Sequence, residues 1–186
     1  METNLKKYKE KRNFAVTPEP SGKIKKRAGK ERKFSVQLHY ARSRHFDFRL
    51  EWEGVLLSWA VPKGPSFNPL DKRLAVRVED HPVDYADFEG VIPKGEYGGG
   101  TVLLWDEGTW TPTGDFDAGL ENGSLKIRLK GKRLKGDWAL VRLKSDSAKN
   151  DSENWLLIKE KDSFAKDSAG TVSYTHLRAH ETGAYL

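Results

Sequence analysis

Between residues 34 and 159 the chain alternates apolar and polar positions in short runs, most of them separated by turn residues. The runs are Phe34–Tyr40, His45–Trp52, Val55–Val61, Leu74–Asp80, Thr101–Trp105, Thr109–Thr111, Leu125–Lys130, Asp137–Leu143 and Trp155–Lys159. A period of two marks strands with one buried face. Glu53-Gly54, Pro62–Pro65, Glu96–Gly100, Asp106–Gly108 and Gly131-Lys132 supply the turns. The pattern predicts a mainly β, antiparallel sandwich or small barrel. One short helix is predicted near Asp115–Glu121, started by Asp115 and stopped by Asn122-Gly123. Residues 1–33 show neither period and read as an extended basic arm.

Composition agrees with one folded unit. The 186 residues are 37% hydrophobic and include six Trp, eight Phe and six Tyr, enough for a real core and against global disorder. There is no cysteine, which excludes disulfides, thiolate metal sites and cysteine nucleophiles, so any metal is held by His, Asp or Glu. No stretch reaches the roughly 18 apolar residues of a membrane helix and no apolar leader opens the chain, so a cytoplasmic, membrane-free monomer is expected. The organisation expected is an arm at 1–33, a β domain at 34–165 and a disordered or non-native tail at 166–186. In that tail His176 and His180 have helical spacing, but Leu177 stands where a zinc peptidase places its glutamate.

Charge is divided unevenly. Residues 1–33 carry twelve Lys/Arg against four Asp/Glu, 34–124 carry eight against fifteen, and 125–144 carry eight against one. Basic segments therefore flank an acidic, histidine-bearing middle, a division suited to a cation held within and a polyanion held outside. Leu125–Lys130 alternates apolar with basic, which fits either a nucleic-acid groove or a solvated strand face.

The chemistry concentrates in the acidic middle. Alternation along His45-Phe-Asp-Phe-Arg-Leu places His45, Asp47 and Arg49 on one face and Phe46, Phe48, Leu50 and Trp52 on the other. A hairpin with the preceding strand brings His39 opposite His45. Two imidazoles and a carboxylate make a three-ligand site with open positions that suits Mn²⁺, Fe²⁺ or Zn²⁺ without selecting among them. The planar fork of Arg49 matches a phosphate. His81, at the exit of the strand Leu74–Asp80, can act on a leaving oxygen, and Tyr85 can hydrogen-bond a phosphoryl oxygen. Lys63 and Arg73 are further candidate phosphate contacts. Gly95–Gly100 lacks the Lys-Ser/Thr end of a phosphate loop and precedes a strand, so it is predicted to be a tight turn.

Taken in order, Phe34–Trp52, Trp59–Pro65, Glu79–Tyr85, Glu89–Val102 and Trp155–Lys159 closely resemble the 3′-phosphoesterase domain found at the N-terminus of bacterial DNA ligase D and as stand-alone bacterial and archaeal proteins. The resemblance covers roughly residues 5–165. It implies a central antiparallel β-barrel with flanking short helices and a Mn²⁺-dependent enzyme acting on the 3′ ends of DNA or DNA/RNA primers. Such enzymes remove a terminal ribonucleoside and then the 3′-phosphate, leaving a 3′-hydroxyl for the ligase and polymerase modules of break repair. By position, His39, His45 and Asp47 are the implied metal ligands, Arg49, His81 and Tyr85 engage the scissile phosphate, and Lys63 and Arg73 assist. Arg12 and Glu19 match arm residues that contribute to activity, and Asn13 stands where the family usually has Asp. Two other readings remain open on the residues alone: an iron oxygenase built on a His45–Asp47–His81 facial triad, and a non-catalytic nucleic-acid-binding barrel of the OB type.

Overall fold

The computed structural model describes residues 5–24, 28–29, 31–145 and 152–170. The histidines of the 171–186 tail lie outside the described residues.

The strands are β1 (Arg32–Tyr40), β2 (Arg44–Trp52), β3 (Val55–Val61), β4 (Arg73–Pro82), β5 (Gly90–Ile92), β6 (Gly100–Pro112), β7 (Ser124–Gly131), β8 (Lys135–Arg142) and β9 (Asn154–Lys159). Every pairing is antiparallel, in the order β1-β2-β3-β4-β9-β8-β7-β6, and β6 returns to β1, closing an eight-stranded barrel. The short β5 joins β6 outside that ring. Glu53 and Gly54 form the two-residue β2–β3 hairpin with φ of 48° and 84°, a turn whose twist matches its flanking strands. The predicted helix forms as α2 (Phe116–Asn122); the Asp115 carboxylate accepts from the Ala118 amide and Gly123 ends it with φ 77°.

Eight strands enclose only enough space for side chains. Here that space holds Phe34, Val36, Phe46, Phe48, Trp59, Trp110, Trp138 and Trp155 among others, all in one apolar cluster. With the lumen filled, chemistry has to sit on the outside. Strands β1–β3 are buried almost continuously, not in alternation. Their outward polar face is covered by a second layer made of the arm and the 3₁₀ turn Val83–Asp87, where Tyr8, Leu56, Tyr85 and Ala86 form a smaller cluster.

Three features depart from the sequence expectation. Residues 1–33 do not stay simply extended: they contain the helix α1 (Lys6–Glu10), bury Tyr8, Thr17 and Glu19, and end in β1. Asp106–Gly108 is not a turn but the middle of the thirteen-residue β6. A bulge between Val36 and Gln37 pairing shifts register there, and Gly108 is required because a Cβ would collide with the Lys130 carbonyl. The barrel also has eight strands where an OB-fold has five, which removes that reading. On β7, Lys126, Arg128 and Lys130 are exposed but ion-paired with Glu160, Asp137 and Glu31, as on an ordinary solvated face.

Candidate active site

Strand register assembles the site. Opposite pairs are Gln37 with Asp47, His39 with His45, Arg49 with Ser58 and Leu56 with His81. The outward phase of β1 to β4 thus gathers His39, His45, Asp47, Arg49 and His81 on one patch, with Arg12 and Glu19 from the arm and Tyr85 from the 3₁₀ turn. All eight line one pocket of about 290 Å³, together with Glu79, Tyr97 and Gly98. Lys63 and Arg73 do not line it; Lys63 is exposed beyond β3, and Arg73 lies 3.8 Å from Asp71.

His39, His45 and Asp47 place one potential ligand atom each within 4.8 Å of one another, the sole such group of three among the described residues. His81 is not a member, so the His45–Asp47–His81 facial triad does not assemble. The ring nitrogens fit a metal as well as their spacing does. His39 Nε2 is 2.7 Å from the Gly98 carbonyl and His45 Nδ1 is 2.9 Å from the Ser43 carbonyl. A carbonyl only accepts, so each of these nitrogens carries a proton, and the opposite nitrogens, His39 Nδ1 and His45 Nε2, face Asp47, each 3.4 Å from a carboxylate oxygen. Burial raises the Asp47 carboxyl, but Arg49 and the two imidazoles outweigh it and hold the group well below the usual carboxylate range. Burial lowers the His45 pKa, but Asp47 outweighs it and raises the value, so an incoming metal competes with a proton there; the three residues offer two imidazole nitrogens and an anionic oxygen, and can hold a metal ion.

Beside them the site is cationic. Arg49 donates from Nε to the Gln37 side-chain oxygen at 2.6 Å and from Nη1 to Ser58 Oγ at 2.8 Å, while Nη2 lies 3.5 Å from Asp47. Arg12 pairs with Glu19 at 3.0 Å and with Glu79 at 3.3 Å and stacks 4.0 Å over the Tyr8 ring. The Tyr85 hydroxyl donates to Glu19 at 2.7 Å, and Thr17 donates to the other oxygen of Glu19. These contacts tie the arm to the pocket wall.

His81 sits between the two arginines. Its Nδ1–H donates to the Glu79 carbonyl at 2.8 Å, and its Nε2 lone pair faces Arg12 Nη2 at 3.3 Å. Burial, then Arg49 and Arg12, push its pKa well below the ordinary histidine value, so the ring is neutral without substrate. Asn13 is exposed, and its side-chain oxygen accepts from the Ala15 amide, a turn bond that Asp would make equally well.

Sequence reasoning gave no role to Gln37, Ser58, Glu79, Tyr8 or the Gly98 carbonyl. Each acts by supporting another group, so only register and the fold of the arm disclose it. Gly95–Gly100 does turn the chain between β5 and β6, and this turn also positions the His39 ring through the Gly98 carbonyl.

The profile of the DNA ligase D 3′-phosphoesterase domain matches residues 37–142, more than half of the chain. The chain is 51% identical over 163 residues to the multifunctional non-homologous end joining protein LigD of Pseudomonas aeruginosa, which covers 87% of this chain and 19% of that protein. To the corresponding DNA repair protein of Mycobacterium tuberculosis it is 41% identical over 177 residues, covering 92% and 22%. To that of Mycolicibacterium smegmatis it is 40% identical over 164 residues, covering 85% and 21%. The chain thus spans about a fifth of the length of these relatives.

Proposed function

Because the chain belongs to the DNA ligase D 3′-phosphoesterase family, we propose that it is a Mn²⁺-dependent phosphoesterase of DNA 3′ ends. It removes a 3′-terminal ribonucleoside and then the remaining 3′-phosphate, and so prepares a 3′-hydroxyl for ligase and polymerase activities in non-homologous end joining. The observation that carries this reading is the contact between two unlike halves of one pocket: a His39, His45, Asp47 donor set against a cationic half of Arg12, Arg49 and His81. A metal next to fixed guanidinium groups is a site for a phosphate ester.

His39, His45 and Asp47 would hold Mn²⁺, which would supply Lewis acidity toward a phosphoryl oxygen and toward water. The residues do the rest. Arg49, fixed on two sides by Gln37 and Ser58, turns its remaining N–H groups to the equatorial oxygens. Arg12, anchored by Glu19 and Glu79, offers one further N–H from the arm. Burial, then Arg49 and Arg12, keep His81 neutral; phosphate entering between these arginines offsets their two charges, so Nε2 takes up a proton with substrate in place and delivers it to the leaving oxygen. Tyr85, whose hydroxyl donates to Glu19 before substrate arrives, turns that proton to a phosphoryl oxygen when the ester binds. Lys63 and Arg73, outside the pocket wall, assist farther along the substrate.

The test is digestion of end-labelled primers carrying a 3′-ribonucleotide or a 3′-phosphate, with Mn²⁺ or with EDTA. Both ends should be processed with metal and neither without it. His39→Ala should lose metal binding, whereas His81→Ala should keep it and lose activity on natural ends while retaining activity on an aryl phosphodiester or monoester whose leaving group needs no proton. Full activity of His81→Ala on both natural ends would remove the acid role.

A further inference from the structure

The pocket continues outward into a second cavity. Ala41, Ile92 and Gly98 line both the pocket and a shallower groove of about 470 Å³ that runs between the β1–β2 turn and the β5–β6 turn. Arg42 forms one wall of that groove, and Lys94 and Glu96 belong to the other. Between them the lining includes Gly95, Gly98, Gly99 and Gly100, so a chain entering the groove can approach the backbone closely there.

The two cations of this groove are available to an anion. Among the described residues neither Arg42 nor Lys94 has a carboxylate partner, and both are exposed. A neighbouring groove that shares Val78, Glu79 and Tyr97 with the pocket balances Lys7, Lys11 and Arg77 against Glu79, Asp80 and Glu153, with Lys11 paired to Glu79 at 3.2 Å and Arg77 to Asp80. The Arg42 groove sets two cations against the single Glu96, so an anion leaving the pocket meets a balanced set of charges in the neighbouring groove and net positive charge on this side. The same side is tied to the metal-ligand set, because the Gly98 carbonyl in its lining holds His39.

We infer that this groove seats the single strand leading to the processed end, with Arg42 and Lys94 contacting the backbone phosphates 5′ of the nucleotide in the pocket. The inference deepens the function proposed above and rests on it. The glycine-rich lining provides close approach to a sugar–phosphate chain, and the two cations provide contact without reading bases.

The experiment is fluorescence anisotropy of a labelled single-stranded DNA oligonucleotide with a 3′-phosphate, titrated with the full chain in EDTA at several KCl concentrations. Each phosphate contact on a single strand adds about 0.7 to the slope of log affinity against log salt. Arg42→Ala/Lys94→Ala should therefore lower the slope by about 1.4 and weaken low-salt binding about tenfold. Lys135→Ala, which removes an exposed cation from a separate groove, should change neither. An unchanged slope in the double variant, or an equal loss in Lys135→Ala, would overturn the inference. His39→Ala separates the two readings: it should bind with the wild-type slope and process no ends. A wild-type protein that binds with the groove-dependent slope but leaves 3′ ends untouched with Mn²⁺ would sink the proposed function and leave the groove standing.

Discussion

Arg49 shows how much of the site is preparation for an absent anion. Its guanidinium is almost fully buried and held by Gln37 and Ser58 before a substrate arrives. Gln37→Ala should leave Arg49 Nε without an acceptor, which costs about 1.5–3 kcal/mol for a hydrogen bond to a charged group. Activity should fall at least tenfold with metal affinity intact, which kinetics and a metal titration would separate. His81 gives a pH prediction. It is enclosed by Arg12, Arg49, Tyr8 and Tyr85, with the Asp47 carboxylate opposing their effect. Its folded pKa lies below its unfolded value, so stability is fully present above about pH 6.5 and is lost as pH falls from there toward the folded pKa. The loss from this group is at most about 1.4 kcal/mol per pH unit. In EDTA, urea unfolding at pH 7.5 and 5.5 should show a smaller difference for His81→Gln than for wild type, and equal differences would refute the account. Alternation alone places His45, Asp47 and Arg49 on one face, and a hairpin adds His39. Gln37, Ser58 and Glu79 were not legible, because their roles exist only between strands.

At the scale of elements, β6 and the arm carry what the pattern did not disclose. Asp106 interrupts the apolar alternation of β6 and resembles a turn residue in sequence. In the fold it is buried, and its carboxylate accepts from the amides of Glu107, Lys132, Arg133 and Leu134, fixing the turn between β7 and β8. Asp106→Ala strands these donors and should lower stability by about 3 kcal/mol, with Asp106→Asn less severe because it keeps an acceptor oxygen; thermal melting would rank the two. The arm behaves differently. Tyr8 is fully buried against His81 and Tyr85, and its hydroxyl donates to the Pro20 carbonyl. Truncating a buried aromatic usually costs about 3–5 kcal/mol, but a terminal segment can undock without unfolding the barrel, which caps the loss. Tyr8→Ala should therefore shift the melting temperature little and lower activity strongly, because Arg12 and Glu19 leave with the arm. A large melting shift with normal activity would contradict this. The five-residue α1 is too short to declare itself by periodicity; it exists because Tyr8 has a surface to bury.

For the whole molecule, the filled barrel and the covered outer face divide stability from chemistry. Metal binding at His39, His45 and Asp47 should add to stability by mass action, about 2.7 kcal/mol at a hundredfold excess over Kd. Melting with and without Mn²⁺ should show the rise in wild type and its absence in His39→Ala, and an equal rise in both would place the metal elsewhere. The sequence by itself determined the β class, seven of the strands nearly to their ends, the capped helix and the meeting of His39, His45 and Asp47 on one face, because these follow from alternation, turn residues and capping chemistry, all local. Only the tertiary structure decided that the barrel closes through β1 and β6, that the arm roofs the site, that His81 is a neutral neighbour of two arginines and that Lys63 and Arg73 stand apart. Those facts depend on which backbone segments meet across long sequence separations and on the desolvation that follows, and neither is encoded in any single run of residues.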